Sequence, residues 1–275
     1  MINIYVLIKQ VPKTQNLQIN KRTGALIREG VESIINPDDV YALELGLSLK
    51  EKYGGKVTAI TMGPPPAEAA LREALAMGVD HAIMICDPVF AYSDTLQTTL
   101  VLRDALEELG DYDIVLTGSK TSDSSTGQVP YQLSEALDIP LITDIFSMEL
   151  NDKSLRCGRN FGHEFQDIKV ALPVLLRIEK HFNEPRHIPL SGIKEAYEKD
   201  IQVLNFNSLN CPNYIDGCNK SPTQVTSTER FKIERKNEII EGTVQDKVEK
   251  LIEIMQDHGI ERIWTGIPEG GNSND

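Results

Sequence analysis

Short, almost wholly apolar segments alternate with amphipathic ones through the first 140 residues, and this alternation restricts the fold more than any other feature. Such apolar segments are typical of strands that are buried on both faces, and the amphipathic ones are typical of helices. Strands separated by helices of roughly 10–15 residues indicate βαβ units and a parallel sheet. The sequence therefore predicts an α/β domain, with strands at "INIYVLI" (2–8), "KVTAITMG" (56–63), "HAIMICD" (81–87) and "YDIVLTG" (112–118).

Helix boundaries are marked by local chemistry. The stretch "NPDDVYALELGLSLKEKYG" begins with residues that favour a helix start, and we expect Asn36 or Asp38 to accept the first helical N–H groups. The next helix, "PPAEAALREALAMG", is expected to end at Gly78. Ligands of parallel sheets bind where strands end and helices begin, so the strand exits are the predicted site.

The second half of the chain has a different pattern of apolar and polar residues. From about residue 141, apolar and polar residues alternate, which predicts an antiparallel meander that extends the sheet. Residues 185–275 are loop-rich, and their one clear element is a helix predicted at 243–259 with one apolar stripe. That stripe must pack on its own domain or on another chain. We therefore divide the chain into a domain at 1–184 and an arm at 185–275.

Charge and cysteine usage exclude several classes of protein. The formal net charge of −13 disfavours a nucleic-acid or anionic-membrane surface, because the chain repels polyanions. No apolar run approaches the roughly 20 residues of a membrane span. The four cysteines form no C-x-x-C pair, so a zinc site is not expected. This usage fits a reducing compartment, and we expect a cytoplasmic protein.

The stretch "LTGSKTSDSSTGQVP" (116–130) is the strongest candidate for a binding site. It lacks the glycine spacing of a phosphate-binding Walker motif and of a dinucleotide fingerprint. Its small residues 124–127 still offer N–H and O–H donors to an anion at a helix start. The alternative interpretation is a polar loop with a Ser or Thr helix cap. No catalytic or metal-binding constellation is recognisable, so any chemistry is expected to belong to a bound cofactor.

Several stretches together resemble the β subunit of electron transfer flavoproteins. They are "VLIKQVP" (6–12), "IINPDDVYALELGLSLKEKYGGKVTAITMGPPPAEAALREALAMGVDHAIMICD" (34–87), "FAYSDTLQTTLVL" (90–102), "GSKTSDSSTGQVPYQLSEAL" (118–137) and "NEPRHIPLSGIKEA" (183–196). The final helix matches as well. The resemblance implies an adenine nucleotide alpha hydrolase-like α/β fold, with the arm and its helix packing on an α subunit that carries one FAD.

The β subunit of this family holds either AMP or a second FAD. In bifurcating members, NADH delivers a hydride to that FAD. One electron then goes to the α-subunit FAD and an acyl-CoA dehydrogenase-like partner, and the other goes to ferredoxin or flavodoxin. The "INPDD" and "FAYSDT" runs resemble the bifurcating group, so FAD is the expected cofactor and NADH the donor. A non-bifurcating subunit with structural AMP is the alternative.

The resemblance also implies positions for the cofactor contacts. They fall on Leu7, Asn36, Thr61, Gly63, Gly118, Asp123, Ser124, Ser125, Thr126, Gly127 and Gln128, with Asp94 and Thr95 added for a complete FAD. Leu7 and Thr61 would meet the adenine through backbone atoms, and residues 124–128 would cradle phosphate. Plain helix capping is the alternative role for Asn36 and Asp94. Lys9 lies near these positions, as a cofactor contact or as a solvated charge.

The chain departs from the family pattern in this loop, where D-G-D-T-x-Q-V-G is usual. Ser124 replaces glycine, Ser125 replaces the second aspartate and Pro130 replaces glycine. Losing an acid near a diphosphate lowers repulsion, and serine still donates a hydrogen bond, so we expect binding to be retained.

A second functional position follows from "PRHIPLSGIKEA", which matches the loop by which the family recognises its dehydrogenase. Leu190 takes the place of the leucine that inserts into the partner, although a buried loop anchor would have the same sequence. Outside this family, the remaining interpretations are a stand-alone adenine-nucleotide-binding regulatory module and an assembly scaffold.

Overall fold

The computed structural model of the chain describes residues 1–13, 18–19, 26–27, 32–151, 153–209, 216–226 and 237–258. The chain separates into two compact units, residues 1–228 and 229–275, and each is described by itself. The strands, in chain order, are β1 (Ile2–Leu7), β2 (Gln10–Pro12), β3 (Gln18–Ile19), β4 (Leu26–Ile27), β5 (Ser33–Ile35), β6 (Gly55–Met62), β7 (His81–Ile85), β8 (Ile114–Gly118), β9 (Leu141–Ile142), β10 (Ile145–Asn151), β11 (Ser154–Phe161), β12 (Glu164–Ala171), β13 (Val174–Ile178) and β14 (Ile201–Leu204). The helices are α1 (Pro37–Tyr53), α2 (Glu68–Met77), α3 (Thr95–Leu109), α4 (Val129–Ala136), α5 (Leu190–Glu198), α6 (Gly217–Lys220) and α7 (Val244–Asp257).

The first unit is built on a sheet of seven parallel strands in the order β14-β7-β6-β1-β8-β13-β9. The chain adds β6 and β7 on one side of β1 and then returns to add β8 on the other side. The strand order thus reverses at β1, and such a switch point leaves a crevice at the carboxyl ends of the strands. The predicted parallel α/β fold is confirmed.

Two hydrophobic clusters cover the two faces of this sheet, because successive strand residues point to opposite sides. On one face, buried residues of α1 and α2 pack on Ile4 and Val6 of β1. On the other face, buried residues of α3 and α4 pack on Val115 and Leu175. The sheet is therefore buried between two helical layers, as its apolar strands predicted.

The predicted antiparallel strands are present, but they pair among themselves. β10, β11 and β12 form a separate three-stranded antiparallel sheet instead of lengthening the central one. β13 then returns to the central sheet and pairs in parallel with β8. Its run Val174–Leu175–Leu176 is fully buried, whereas β12 alternates exposed and partly buried residues. Burial between two helical layers stabilises an almost entirely apolar strand such as β13 more than a place in the half-exposed hairpin sheet would.

A small antiparallel clip joins β2 to β5, with Gln10 opposite Ile35 and Pro12 opposite Ser33. Immediately beyond it, the Asn36 N–H donates to the Lys9 carbonyl at 2.8 Å. The clip therefore brings the end of β1 and the start of α1 together, although about 25 residues of sequence separate them.

The second unit contains α7, which confirms the predicted helix except that residue 259 lies outside the described residues. Thr243 and Asp246 cap its start reciprocally. Four of its apolar side chains, Val244, Val248, Leu251 and Ile252, are exposed within this unit. Packing of this stripe on an α subunit stays a prediction. None of the described helices has both the length and the apolar character needed to cross a membrane.

Candidate functional site

Adjacent strands β6, β1 and β8 bring the predicted contact residues Leu7, Thr61, Gly63 and Gly118 to one edge of the sheet. Leu7 is opposite Ile60 on one side and Thr117 on the other. The three strand exits therefore converge at the switch point, where the fold is expected to bind a ligand.

Gly118 allows the start of α1 to approach the end of β8 closely. A Cβ atom at this position would lie 2.3 Å from Asp39 Oδ1 and 2.8 Å from the Asp39 nitrogen. Real Cβ atoms do not come this close to other atoms, so only glycine fits here without movement of α1.

The first half of the loop after β8 is anchored by the buried side chain of Asn36. Asn36 Nδ2 donates to the Lys120 carbonyl at 2.9 Å, and Asn36 Oδ1 accepts from the Ser122 N–H at 3.0 Å. Among the described residues, Asn36 makes no side-chain cap on α1, and neither does Asp38, so the expected capping role was wrong for both. The side-chain amide of Asn36 is instead bonded to the backbone of the loop after β8.

Two acids hold the same half of the loop. Lys9 Nζ donates to both carboxylate oxygens of Asp123, at 2.9 and 2.8 Å, and the Asp123 side chain is only 5% exposed. Ser119 Oγ donates to Asp38 Oδ2 at 2.7 Å, and Lys180 Nζ lies 3.3 Å from Asp38 Oδ1. Lys9 is therefore a partner of Asp123 and not merely a solvated charge.

The second half of the loop is the exposed part. Ser124, Ser125, Thr126 and Gln128 are exposed, and Ser125 and Gly127 have positive φ angles of 56° and 61°. The N-cap of α4 is Gln128, with no side-chain cap, so the alternative of a Ser or Thr cap was wrong. Within the loop, the Ser125 N–H and Oγ both donate to the Thr121 carbonyl, and Ser124 Oγ is hydrogen-bonded to Thr121 Oγ1. An exposed turn of small polar residues before a helix is still suited to binding phosphate.

The start of α3 lies beside this exposed half. Thr95 Oγ1 donates to Gln128 Oε1 at 3.1 Å. Asp94 caps α3 by accepting from the Gln97 N–H, which confirms its alternative role, and it also accepts from the Thr223 N–H. The two positions that the family resemblance adds for a complete FAD therefore lie next to the candidate phosphate-binding residues.

Two buried hydroxyl groups flank the end of β1. Within the described residues, neither Thr61 Oγ1 nor Thr117 Oγ1 has a hydrogen-bond partner. A buried polar group without a partner costs about 1–3 kcal/mol. Thr61 lies on the sheet face of Ala59 and Thr117 on that of Val115, so the two hydroxyl groups face opposite sides of the sheet and one ligand group cannot satisfy both.

Burial raises the pKa of Asp39 to about 7, and neighbouring Asp38 adds to this effect, although hydrogen bonds from Asn36 Nδ2 and the Lys9 N–H lower the pKa. The carboxyl group therefore titrates near neutral pH at the base of the crevice.

We expect Asp39 to make the stability of this unit depend on pH. The unfolded chain loses the Asp39 proton near pH 4, whereas the folded chain keeps it until about pH 7. The Asp39 contribution to the free energy of unfolding should thus fall as pH rises from about 5 to about 8, by on the order of 2 kcal/mol. Urea denaturation of wild type and Asp39→Asn at both pH values measures this, since the other groups titrate in both proteins. The same pH dependence in both would contradict it.

Sequence reasoning missed the roles of Asp38, Asp39 and Ser119. All three are buried and hydrogen-bonded around Gly118 and Asn36. Asp38 was interpreted as a residue that accepts helical N–H groups, and no role was predicted for Asp39 or Ser119. The actual partners of the two acids, Lys9 and Ser119, lie just after β1 and just after β8, which sequence spacing could not indicate.

Leu190 lies away from the crevice, at the first residue of α5, and its side chain is 84% exposed. It is therefore not a buried anchor within this chain. The preceding segment is fixed on α1, because Arg186 Nε lies 2.9 Å from Glu44 Oε2 and Arg186 Nη1 lies 2.6 Å from Glu51 Oε1. Leu190 is thus an exposed apolar group on a fixed support, although a docking role stays a prediction.

A parallel sheet with a switch-point crevice and an exposed loop of small residues before a helix is the architecture in which α/β domains commonly bind nucleotides. Comparison with known proteins agrees: residues 23–209 match the family described as electron transfer flavoprotein domain.

Similar proteins make the family more specific. The chain is 44% identical over 253 residues to the electron transfer flavoprotein subunit beta of Thermoanaerobacterium thermosaccharolyticum, covering 92% of this chain and 97% of that protein. It is 38% identical to the caffeyl-CoA reductase-Etf complex subunit CarD of Acetobacterium woodii (90% and 95% covered). It is 35% identical to the acryloyl-CoA reductase electron transfer subunit gamma of Anaerotignum propionicum (94% and 100% covered). The chain therefore belongs to the electron transfer flavoprotein β-subunit family.

Proposed function

We propose that this subunit binds FAD at the switch-point crevice and serves in flavin-based electron bifurcation with NADH as donor. Bound FAD would supply the redox chemistry by accepting a hydride and passing its electrons onward. The polypeptide would supply binding, orientation and exclusion of water. The observation that carries the proposal is the exposed loop half 124–128, held at the ends of adjacent parallel strands.

Different residues would hold different parts of the cofactor. Backbone atoms of Leu7 and Thr61, at the ends of β1 and β6, would contact the adenosine portion. Gly63 lets Ala67 approach the end of β6, since a Cβ at Gly63 would lie 2.9 Å from the Ala67 Cβ. Backbone N–H groups and hydroxyls of 124–128 would receive the phosphates. These donors carry no charge, so the acidic net charge of the chain does not prevent binding of an anion here.

The start of α3 favours FAD over AMP. Thr95 is bonded directly to Gln128, so the phosphate-binding candidates continue onto a second helix start. The loop 124–128 alone would be enough to contact a mononucleotide. A dinucleotide extends further along such a crevice and would also reach the start of α3. Asp94 belongs to this second part and is fixed by its bonds to α3 and to Thr223.

The names of two relatives support partners of this subunit. One is a subunit of a caffeyl-CoA reductase-Etf complex and another is an electron transfer subunit of acryloyl-CoA reductase. By analogy, we propose a heterodimer with an FAD-carrying α subunit, electron delivery to an acyl-CoA dehydrogenase-like flavoprotein, and ferredoxin or flavodoxin as the second acceptor.

Cofactor content of the purified heterodimer tests the proposal. After acid extraction, two FAD per heterodimer are expected, and NADH should bleach the flavin absorption. One FAD with one AMP would establish the alternative, a non-bifurcating subunit. A heterodimer that contains one FAD and no AMP would overturn both the proposal and its alternative.

A variant pair tests whether the nucleotide lies in this crevice. Ser124→Ala removes one exposed hydroxyl from the loop and should weaken FAD binding to this subunit by roughly 2–10-fold. Ser147→Ala removes an equally exposed hydroxyl from β10 and serves as the matched control. Equal affinity in both variants would contradict a phosphate contact at Ser124.

A further inference from the structure

We propose that Lys9, Asn36 and Asp123 are positioning residues, which hold the cofactor loop in shape and do not themselves contact the cofactor. The inference rests on the proposed function, because it assigns roles within that same site. It differs from the roles that family resemblance implies for Asn36 and Asp123.

The loop 119–128 divides into two halves that differ in their contacts with the rest of the chain. In the first half, the side chains of Lys9, Asn36 and Asp38 bond Ser119, the backbone of Lys120 and Ser122, and the carboxylate of Asp123. In the second half, residues 124–128, most side chains are exposed. The first half thus has the contacts of a support, and the second has the exposure of a binding surface.

Asn36 has little capacity left for a ligand. Its side chain is fully buried, Nδ2 donates to Asp39 Oδ1 and the Lys120 carbonyl, and Oδ1 accepts from the Ser122 N–H. An amide NH₂ group has two donors, and both are engaged. Asn36 therefore acts on the cofactor through the loop backbone.

The Lys9–Asp123 pair closes the anchored half. Both Asp123 oxygens accept from Lys9 Nζ, and the Asp123 side chain is nearly inaccessible, while Lys9 is 39% exposed. A carboxylate next to a diphosphate would repel it, but one neutralised by lysine does not. The pair fixes the point at which the loop turns into its exposed half.

A double-mutant cycle separates positioning from direct contact because the two accounts predict opposite signs. If Asp123 met the diphosphate directly, Asp123→Asn would remove a repulsion and tighten binding, while Lys9→Met would weaken it. If the pair positions the loop, both changes weaken binding, each by roughly 10-fold, and the double variant is no weaker than either single one.

The cycle is measured on the complete heterodimer by titration with FAD and, separately, with AMP. Lys9→Arg can keep a two-pronged bond to the carboxylate and should restore affinity and the visible circular dichroism of the bound flavin. Lys13→Met is the matched control, since Lys13 makes an exposed ion pair with Glu32 outside the loop, and it should bind as wild type does.

The outcomes distinguish this inference from the proposed function. Wild-type protein that binds FAD or AMP, with non-additive losses and rescue by arginine, supports the inference. Wild-type binding with additive effects, or with tighter binding in Asp123→Asn, overturns the inference alone. Wild-type protein that binds neither nucleotide overturns the proposed function and the inference together.

Discussion

Replacing Gly118 by alanine is expected to weaken nucleotide binding by about 100-fold or more and to lower the free energy of unfolding by about 3 kcal/mol. The new methyl group would lie 2.3 Å from Asp39 Oδ1 and 2.8 Å from two backbone atoms of α1. Backbone cannot rotate aside as a side chain can, so α1 must move away from β8. This movement would break the Asn36 bonds to the loop. Nucleotide titration and urea denaturation measure the two effects.

Gly162→Ala is the matched control for this prediction. It adds the same methyl group in the turn between β11 and β12, where no other atom lies within 4 Å of the new Cβ. Its φ of 64° makes alanine strained there, by about 1–2 kcal/mol, but nucleotide affinity should not change. Wild-type affinity in Gly118→Ala would show that α1 need not approach β8 for the site to form.

Leu190→Glu is expected to weaken binding to the dehydrogenase partner by about 100-fold, without changing cofactor content. Burying a leucine contributes about 1.5–3 kcal/mol, and an unpaired carboxylate in an apolar pocket opposes docking further. The side chain is 84% exposed in this chain, so the free energy of unfolding should change by no more than about 0.5 kcal/mol. The dissociation constant of the complex and the FAD content measure both.

Val225→Glu provides the corresponding control, because Val225 is 78% exposed and lies outside the docking segment. The same charge is added to the surface, so any general electrostatic effect on partner binding appears in both variants. Equal weakening by Val225→Glu would mean that added charge, and not loss of an inserted leucine, is responsible. An unaffected dissociation constant in Leu190→Glu would place the docking surface elsewhere.

The central architecture could be predicted because β1, β6, β7 and β8 are short apolar runs between helices, and that pattern has few solutions. β14 was not predicted. It is a four-residue edge strand with Gln202 and Val203 exposed, so it lacks the apolar signature of its neighbours. β13 was assigned to the meander because strands that are consecutive in sequence usually pair with each other. Only the burial of successive residues Val174, Leu175 and Leu176 reveals its place in the parallel sheet.

For the site, sequence indicated where polar groups cluster but not what they contact. Asn36 and Asp123 were recognised as site residues, yet their observed partners lie more than 80 positions away in sequence, in Lys120, Ser122 and Lys9. Whether a polar side chain faces a ligand or another part of the chain depends on tertiary geometry. Residues 124–128 were predicted to receive phosphate, and the structure leaves four of them exposed, Ser124, Ser125, Thr126 and Gln128, while the phosphate contact stays a prediction.

The clip between β2 and β5 closes the chain segment 13–32 at its base. The spacing of the crevice residues next to the clip therefore does not depend on the length of that segment. Lys9 and Asn36 are tied together just beyond the clip, so the clip and the bond between these two residues hold their spacing. The entropic penalty for lengthening a closed loop grows only slowly with its length. Insertions and deletions in this excursion should therefore accumulate during divergence without disturbing the crevice, which makes it a natural place to attach a fluorescent label or a purification tag.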